Sequence, residues 1–482
     1  MRPNFNRVMF HQATEIRRDL LKRVCDLSFR GRLVEEIDRI PLEIRPKASA
    51  LSRCCIHKDR AVLKYRLMTI LGFNVTDETD ELTRLSEYAQ MSLDREEFTD
   101  VMLTVVDEAC SSCVKNNYIV TNLCRGCVGR PCTYACNKKA ITVTNRAEID
   151  HSLCVNCGRC VSACPFNAIV YTPVPCEEAC PVGAISKDSF GVEHIDWDKC
   201  VYCGQCKEAC PYGAIMEKTY LIQIIREIQS KKRVIAMVAP AIAGQFAQPL
   251  PQILDGIKAC GFDDVVEVAL GANVTSKHEA EEWEERILEH GQPFMTTSCC
   301  PSYTRWAKLK QPALLPYISE TRTPASYTAE IVKNQDPEAV TVFIGPCMAK
   351  RVEGYHDKNI DYVMTFEEID AMMKSKGIDL TDCETLILDE NIEKSGRQYA
   401  RTGGVSSSVS LYVKNPELLK PEVVNGLNKD SVKLLKTISS TGKAEANLIE
   451  VMMCEGGCVN GCSVIVNPKV ATRQLLALDK EQ

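Results

Sequence analysis

Between residues 124 and 211 the chain repeats one short pattern four times, and that repeat restricts its fold more than any other feature. The runs are Cys124, Cys127, Cys132 and Cys136; Cys154, Cys157, Cys160 and Cys164-Pro165; a shortened Cys176 and Cys180-Pro181; and Cys200, Cys203, Cys206 and Cys210-Pro211. An Ala-Ile pair follows each run in step: Ala140-Ile141, Ala168-Ile169, Ala184-Ile185 and Ala214-Ile215. A C-x2-C-x2-C-x3-C-P run is iron–sulfur spacing, because three thiolates on one short loop wrap one face of a 4Fe–4S cube. The first run departs from it, with four residues where two are usual between its second and third cysteines. The competing reading of 27 cysteines is a disulfide framework, which suits small secreted chains. A chain of 482 residues buries enough core to need no such staples, so metal ligation is favoured.

The repeat is of the bacterial ferredoxin type, in which the cysteine before proline points to the other cluster of a pair. Cys124, Cys127, Cys132 and Cys164 are therefore expected to hold one cluster, and Cys154, Cys157, Cys160 and Cys136 a second. Cys200, Cys203, Cys206 and Cys180 are expected to hold a third. Cys176 and Cys210 are left over, and Cys110-x2-Cys113 is the nearest spare pair. These four are expected to form a fourth cluster; the alternative is idle thiols at 110 and 113 and only three accessory clusters.

Outside residues 106–217 the patterns differ. Residues 1–105 carry little chemistry and read as helical, with helices over Leu20 to Leu27 and Asp59 to Leu71, the second stopped by Gly72. Cys25, Cys54 and Cys55, with His57 close by, are read there as buried structural thiols. Lys218 to Lys232 is expected to be a connecting helix. Short β-rich apolar runs then begin at Val234–Val238, Val265–Ala269, Phe294–Thr297, Val340–Ile344 and Tyr362–Thr365. Helical stretches such as Lys277–His290 and Ala325–Asn334 alternate with them, which predicts an α/β domain over 218–482 with parallel sheets. Cys299, Cys300 and Cys347 each follow a predicted strand end, where open α/β sheets place their sites. The net charge of −6 and the lack of a long basic block argue against nucleic acid. No apolar run reaches the ~18 residues of a membrane span, and the N-terminus lacks a secretory core, so the expected compartment is a reducing cytoplasm.

Three stretches carry the chemistry: Thr297-Ser298-Cys299-Cys300-Pro301, Gly345-Pro346-Cys347-Met348-Ala349-Lys350, and Met452-Met453-Cys454-Glu455-Gly456-Gly457-Cys458. Together they resemble the signature triplet of the iron-only ([FeFe]) hydrogenases, over about residues 218–470. The resemblance implies a two-lobed α/β domain holding an H-cluster, a 4Fe–4S cube joined to a di-iron centre with carbonyl, cyanide and azadithiolate ligands. Carried over motif by motif, Cys300, Cys347, Cys454 and Cys458 hold the cube, with Cys458 as the bridge. Lys350 is implied to contact a cyanide, and Met452 and Pro240 to line the cofactor. Cys299 is implied to pass protons, followed outward by Glu279, Glu282, Ser319 and Arg286. Spacings of three and four put the two glutamates and Arg286 on one helix face. This chain departs from the family's main branch at Gly345, Met453, Tyr303, Ala325 and Cys462-Ser463. Those changes spare the ligands but alter what surrounds them. Cys462 is a free thiol near the implied centre.

The expected activity is 2H⁺ + 2e⁻ ⇌ H₂, with electrons relayed through the clusters to ferredoxin or a similar low-potential carrier, and with dedicated maturation proteins as further partners. A hydrogen sensor and a non-catalytic iron–sulfur homologue are the alternatives. Against the first stand the retained Cys299 and the lack of an obvious sensing domain; against the second, the intact signature cysteines.

Overall fold

The computed structural model describes residues 11–48, 53–113, 118–230 and 232–481. It is a mixed α/β structure: a helical N-terminal segment, a set of small two-stranded sheets carrying the cysteine runs, and an α/β domain with two parallel sheets.

The Gln12–Phe29 helix buries Leu20, Leu21, Val24 and Leu27, one stripe at helical spacing, and extends well beyond the expected Leu20 to Leu27. It lies against the Phe366–Ser375 helix of the α/β domain. Arg17 crosses that contact and grips Glu367 with two hydrogen bonds, of 3.0 and 2.8 Å. The Ile56–Ile70 helix matches the second expectation and ends before Gly72, whose φ of +93° suits glycine. Cys25 is buried, but Cys54 is exposed and Cys55 half-buried, so the reading of all three as core thiols is corrected. The two follow each other just ahead of the Ile56–Ile70 helix, where the chain runs over the surface.

Each Ala-Ile pair has a structural reason. The alanines are buried, and Ile141, Ile169, Ile185 and Ile215 each open a three-residue strand with the isoleucine facing inward. Strand pairing reveals two nested units. In the inner one, Tyr118–Val120 pairs with Ile169–Tyr171, and Ile141–Val143 with Ala147–Ile149. The outer one repeats this plan: Leu103–Val105 pairs with Ile215–Glu217, and Ile185–Lys187 with Glu193–Ile195. The inner unit thus interrupts the outer between Cys113 and Cys176. The outer unit's first strand falls on the N-terminal side of the expected boundary at 105.

In the α/β domain one parallel sheet has the order Asp264–Glu267, Val234–Val238, Val340–Gly345, Tyr362–Thr365. Val234–Val238 is buried at every position, as a central parallel strand covered on both faces must be. The second sheet, also parallel, runs Met295–Thr296, Leu448–Met452, Pro421–Asn425. Its last two strands were not anticipated. The expected strand over Val265–Ala269 ends at Glu267, and a helix starts at Ala269. The connecting helix is Leu221–Gln229, shorter than Lys218 to Lys232. Pro324–Gln335 contains the expected Ala325–Asn334 helix. Lys277–His290 is not one regular helix. An α-helix over Ala269–Trp283 loosens into a π-helix over Glu284–Glu289, a local widening common at functional sites.

Candidate iron–sulfur and proton-transfer site

The three signature stretches leave their sheets at one place. Cys300 caps the Pro301–Lys310 helix after the Met295–Thr296 strand. Cys347 stands between the Val340–Gly345 strand and the Ala349–His356 helix, and Cys454 and Cys458 follow the Leu448–Met452 strand. Burial raises the Cys300 thiol, and backbone N–H groups of Met453, Tyr303 and Ser302 that point at its sulfur partly oppose that rise. Gly457 has a φ of +91°, and a Cβ there would sit 2.6 Å from the Ala400 carbonyl oxygen, so only glycine brings this loop in.

Burial pushes the Cys454 thiol far up, and Cys347, Cys300 and Cys458 push it further. Cys347 is raised by burial, then by Cys462, Cys300 and Cys458. Burial raises Cys300 and Cys458 as well, with Lys350 acting against it on both, and thiols crowded in this way are costly as anions unless a cationic group binds them. Among the described residues no three His, Cys, Asp or Glu side chains stand close enough to share one metal ion. A 4Fe–4S cube carries one thiolate on each of its four irons, and four cysteines stand around this spot. The donor set therefore fits a 4Fe–4S group.

The accessory cysteines gather likewise. Cys124, Cys127, Cys132 and Cys164 line one cavity, and Cys136, Cys154, Cys157 and Cys160 another. Cys203 is raised by burial to a value at which the neighbouring Cys200 and Cys180 also tell. Burial raises Cys113, then Cys210 and Cys110 do; Cys176 is raised by burial, then by Glu193 and Cys210. The nested fold explains this last grouping. Cys110 and Cys113 follow the outer unit's first strand as Cys124 and Cys127 follow the inner one's.

Cys299 is deeply set, and burial followed by the Glu279 charge pushes its thiol well up. Glu279 is fully buried; its Oε1 accepts from the Ser298 N–H at 3.3 Å, and burial raises it to about 8. Its Oε2 has no hydrogen-bond partner. The Ser319 hydroxyl, which also stabilises Glu279, donates to Glu282 at 2.6 Å. Glu282 pairs with Arg286 at 2.8 Å, and Arg286 with Glu320 at 3.0 Å, whose side chain is 87% exposed. Arg286 also donates to the Ile318 carbonyl at 3.1 Å. Ser319, Glu282 and Arg286 thus form a hydrogen-bonded file that ends at the exposed Glu320, with Glu279 and Cys299 bearing on each other at its inner end.

Lys350 lies mostly buried between Cys347 and Cys299, its ammonium held by both Glu353 oxygens at 2.6 and 2.8 Å. Met452 is buried in the apolar cluster that also touches Cys299 and Cys300. Pro240 begins the turn after the Val234–Val238 strand and lines a small cavity with Ala239, Glu267 and Arg397. Tyr303 keeps its ring buried and bonds the Thr296 hydroxyl at 2.8 Å, while Ala325 is buried at a helix start.

Sequence reasoning missed Glu450 and Tyr399. Glu450 is fully buried and accepts from the Gly403 and Ser406 N–H groups, both at 2.8 Å. The Tyr399 hydroxyl is buried without a partner. Burial raises it, followed by Glu279 and Cys299. Two orphaned oxygens beside one thiol call for ordered water there. A lone glutamate in the apolar Leu448–Met452 strand was the available signal for Glu450; Tyr399 had none.

Residues 232–462 match the iron only hydrogenase large subunit, C-terminal domain, and residues 147–170 and 193–216 match the 4Fe–4S binding domain. The chain is a divergent, iron-only-hydrogenase-like protein. It is 30% identical over 379 residues to iron hydrogenase 1 of Clostridium pasteurianum, covering 67% of this chain and 65% of that one. The periplasmic [Fe] hydrogenase large subunit of Nitratidesulfovibrio vulgaris is 29% identical over 67% of this chain and 87% of its own. Cytosolic iron-sulfur assembly component 3 of Rattus norvegicus is 22% identical over 45% of this chain and 58% of its own. An [FeFe]-hydrogenase structure from Chlamydomonas reinhardtii overlaps 54% of this hydrogenase-like chain and 89% of that one, with 22% identity and a TM-score of 0.46. The hydrogenase-like chain spans under two thirds of the Clostridium relative. Among its described residues no helix is long and apolar enough to cross a membrane.

Proposed function

We propose that the chain is a hydrogenase that interconverts protons plus electrons and H₂. One observation carries the reading: a buried Glu279, raised to about 8, bears on the Cys299 thiol at the inner end of a Ser319–Glu282–Arg286 file that ends at an exposed carboxylate. The iron–sulfur assembly relative favours a second, non-catalytic reading, but that reading gives Cys299 and the buried Glu279 beside it nothing to do.

The H-cluster, held by Cys300, Cys347, Cys454 and Cys458, supplies hydrogen chemistry at its two-iron part when bound. The chain supplies the rest. Cys299 holds a proton at its sulfur, and the raised Glu279 carboxyl stays protonated to about neutral pH, so it can both receive and return one. Ser319 and Glu282 pass it on, and Arg286 keeps Glu282 charged and aimed outward. Lys350 places a cation where an anionic ligand of the group would lie. Met452 would wall the cofactor beside Cys299 and Cys300, whereas Pro240 lines a separate cavity with Glu267 and Arg397 and takes no part in it. Met295, Met452 and Val405 form an apolar wall against Cys299 and Cys300.

Electrons would come from ferredoxin or a similar low-potential carrier in a reducing cytoplasm, and the accessory cysteines would hold the three or four clusters that relay them. A couple taking one proton per electron moves about 59 mV per pH unit, which places proton/hydrogen near about −0.41 V at pH 7, within reach of ferredoxin-type clusters at about −400 mV. Dedicated maturation proteins would install the two-iron group. The reading is tested by hydrogen evolution from a chemically reduced viologen: turnover by the matured chain supports it, and none by a chain with full clusters and two-iron group refutes it.

The fourth cluster has its own test. Cys110→Ser is expected to cost one cluster, about four irons per chain. An unchanged iron count would return Cys110 and Cys113 to idle thiols.

A further inference from the structure

Lys207 directly follows Cys206 and carries an ammonium without solvent exposure. It reaches Glu217 at 2.9 Å, Glu367 at 3.3 Å and the Ser463 hydroxyl at 3.2 Å. Glu217 belongs to the outer cysteine unit, Glu367 to the α/β domain, and Ser463 to the stretch after Cys458. Arg17 and Arg18 from the N-terminal helix close on Glu367, and Arg351 on Glu368. A buried ammonium costs several kcal/mol unless paired, and these carboxylates keep it charged.

The same loop touches the opposite thiol set. Gly204, with a φ of +72°, lies so close to Cys462 that a Cβ would come within 2.4 Å of its sulfur and 3.4 Å of Met348. Cys462 bears on Cys203 on one side and on Cys347 and Cys454 on the other. One buried cation and one tight contact thus stand between the two cysteine groups.

We propose that Lys207 is a positioning charge that sets how electrons divide between the Cys180, Cys200, Cys203, Cys206 cluster and the Cys300, Cys347, Cys454, Cys458 cube, across the Cys462–Ser463 contact. This rests on the reading that both groups hold clusters. A reduced cluster is one charge more negative than an oxidised one, so a desolvated cation beside it raises its potential. Burial leaves little solvent or salt to screen the effect. Transfer moves one electron from the reduced accessory cluster to the oxidised cube, with no bond made or broken. The N-terminal helix acquires a role here: Arg17 neutralises Glu367 and seals the network.

The test is an EPR-monitored redox titration of the full chain carrying its iron–sulfur clusters, with iron content measured in parallel. Lys207→Met is expected to lower the potential of one 4Fe–4S component by a tenfold change in its one-electron equilibrium, 59 mV. Glu217→Gln should shift it the opposite way, and Lys207→Arg should restore it; a merely structural role gives no such change of sign. Full iron with unmoved potentials in Lys207→Met and Glu217→Gln overturns the proposal alone. Wild-type protein lacking iron at these cysteines overturns the proposal together with the reading beneath it. If Lys207→Met loses its clusters, Glu217→Gln decides by the same criterion: an upward shift supports the charge and no shift refutes it.

Discussion

Cys299→Ala is expected to lower hydrogen turnover at least ~100-fold while leaving iron content unchanged, since positioned acid–base groups contribute about 10²–10⁴-fold. The reason is positional. Cys299 adjoins the proposed ligand Cys300, which caps the following helix and draws the backbone N–H groups. Replacing the thiol with a methyl therefore spares the four proposed donors and removes the titratable group that bears on both Glu279 and Cys300. Hydrogen evolution measured beside iron content checks it. Turnover within a few-fold of wild type would mean that protons travel another way, with Tyr399 and Glu450 the first groups to examine.

Glu279→Gln is expected to act twice. Turnover should fall by a similar factor, because an amide of the same shape cannot carry the proton. Stability should change in the opposite sense above neutral pH. The folded-state carboxyl, raised by burial from 4.5 to about 8, holds its proton more tightly than the unfolded one. Between those values the native state binds more protons, so stability falls as pH rises. What the protonated group contributes is complete below about pH 4.5 and lost once pH passes 8. Each unit is worth about 1.4 kcal/mol, so the penalty near pH 8 amounts to a few kcal/mol. Glutamine carries no such penalty. The variant should lose that slope and resist denaturant better than wild type at pH 8, with little difference at pH 4.5. Denaturation midpoints at the two pH values check it; equal slopes in both proteins would place Glu279 in a wetter setting than its burial implies.

How much was legible follows from how local each signal is. The proposed cluster ligands sit on loops of a few residues, so the spacing of Cys200, Cys203 and Cys206 can be read from the sequence alone. The Ala-Ile echo marks strands for the same reason. The nesting of the two cysteine units was not legible, because the pairing of Leu103 with Glu217 is set by packing between segments more than a hundred residues apart. The second parallel sheet was missed because Pro421–Asn425 begins with proline and is largely exposed, which hides its pattern. Cys54 was misjudged since exposure depends on where a turn meets solvent. The π-helix at Glu284–Glu289 leaves no periodic trace, yet it lies where Arg286 turns toward Glu320.

The central claim is that Cys300, Cys347, Cys454 and Cys458 hold a cube bearing a two-iron group. Infrared spectroscopy of the chain after maturation tests this most directly. Metal-bound carbonyl and cyanide bands are expected in the wild type and should vanish in Cys458→Ser, which removes the bridging thiolate. A chain that loads its accessory clusters fully and shows no such bands would contradict the account and leave a non-catalytic iron–sulfur protein in its place.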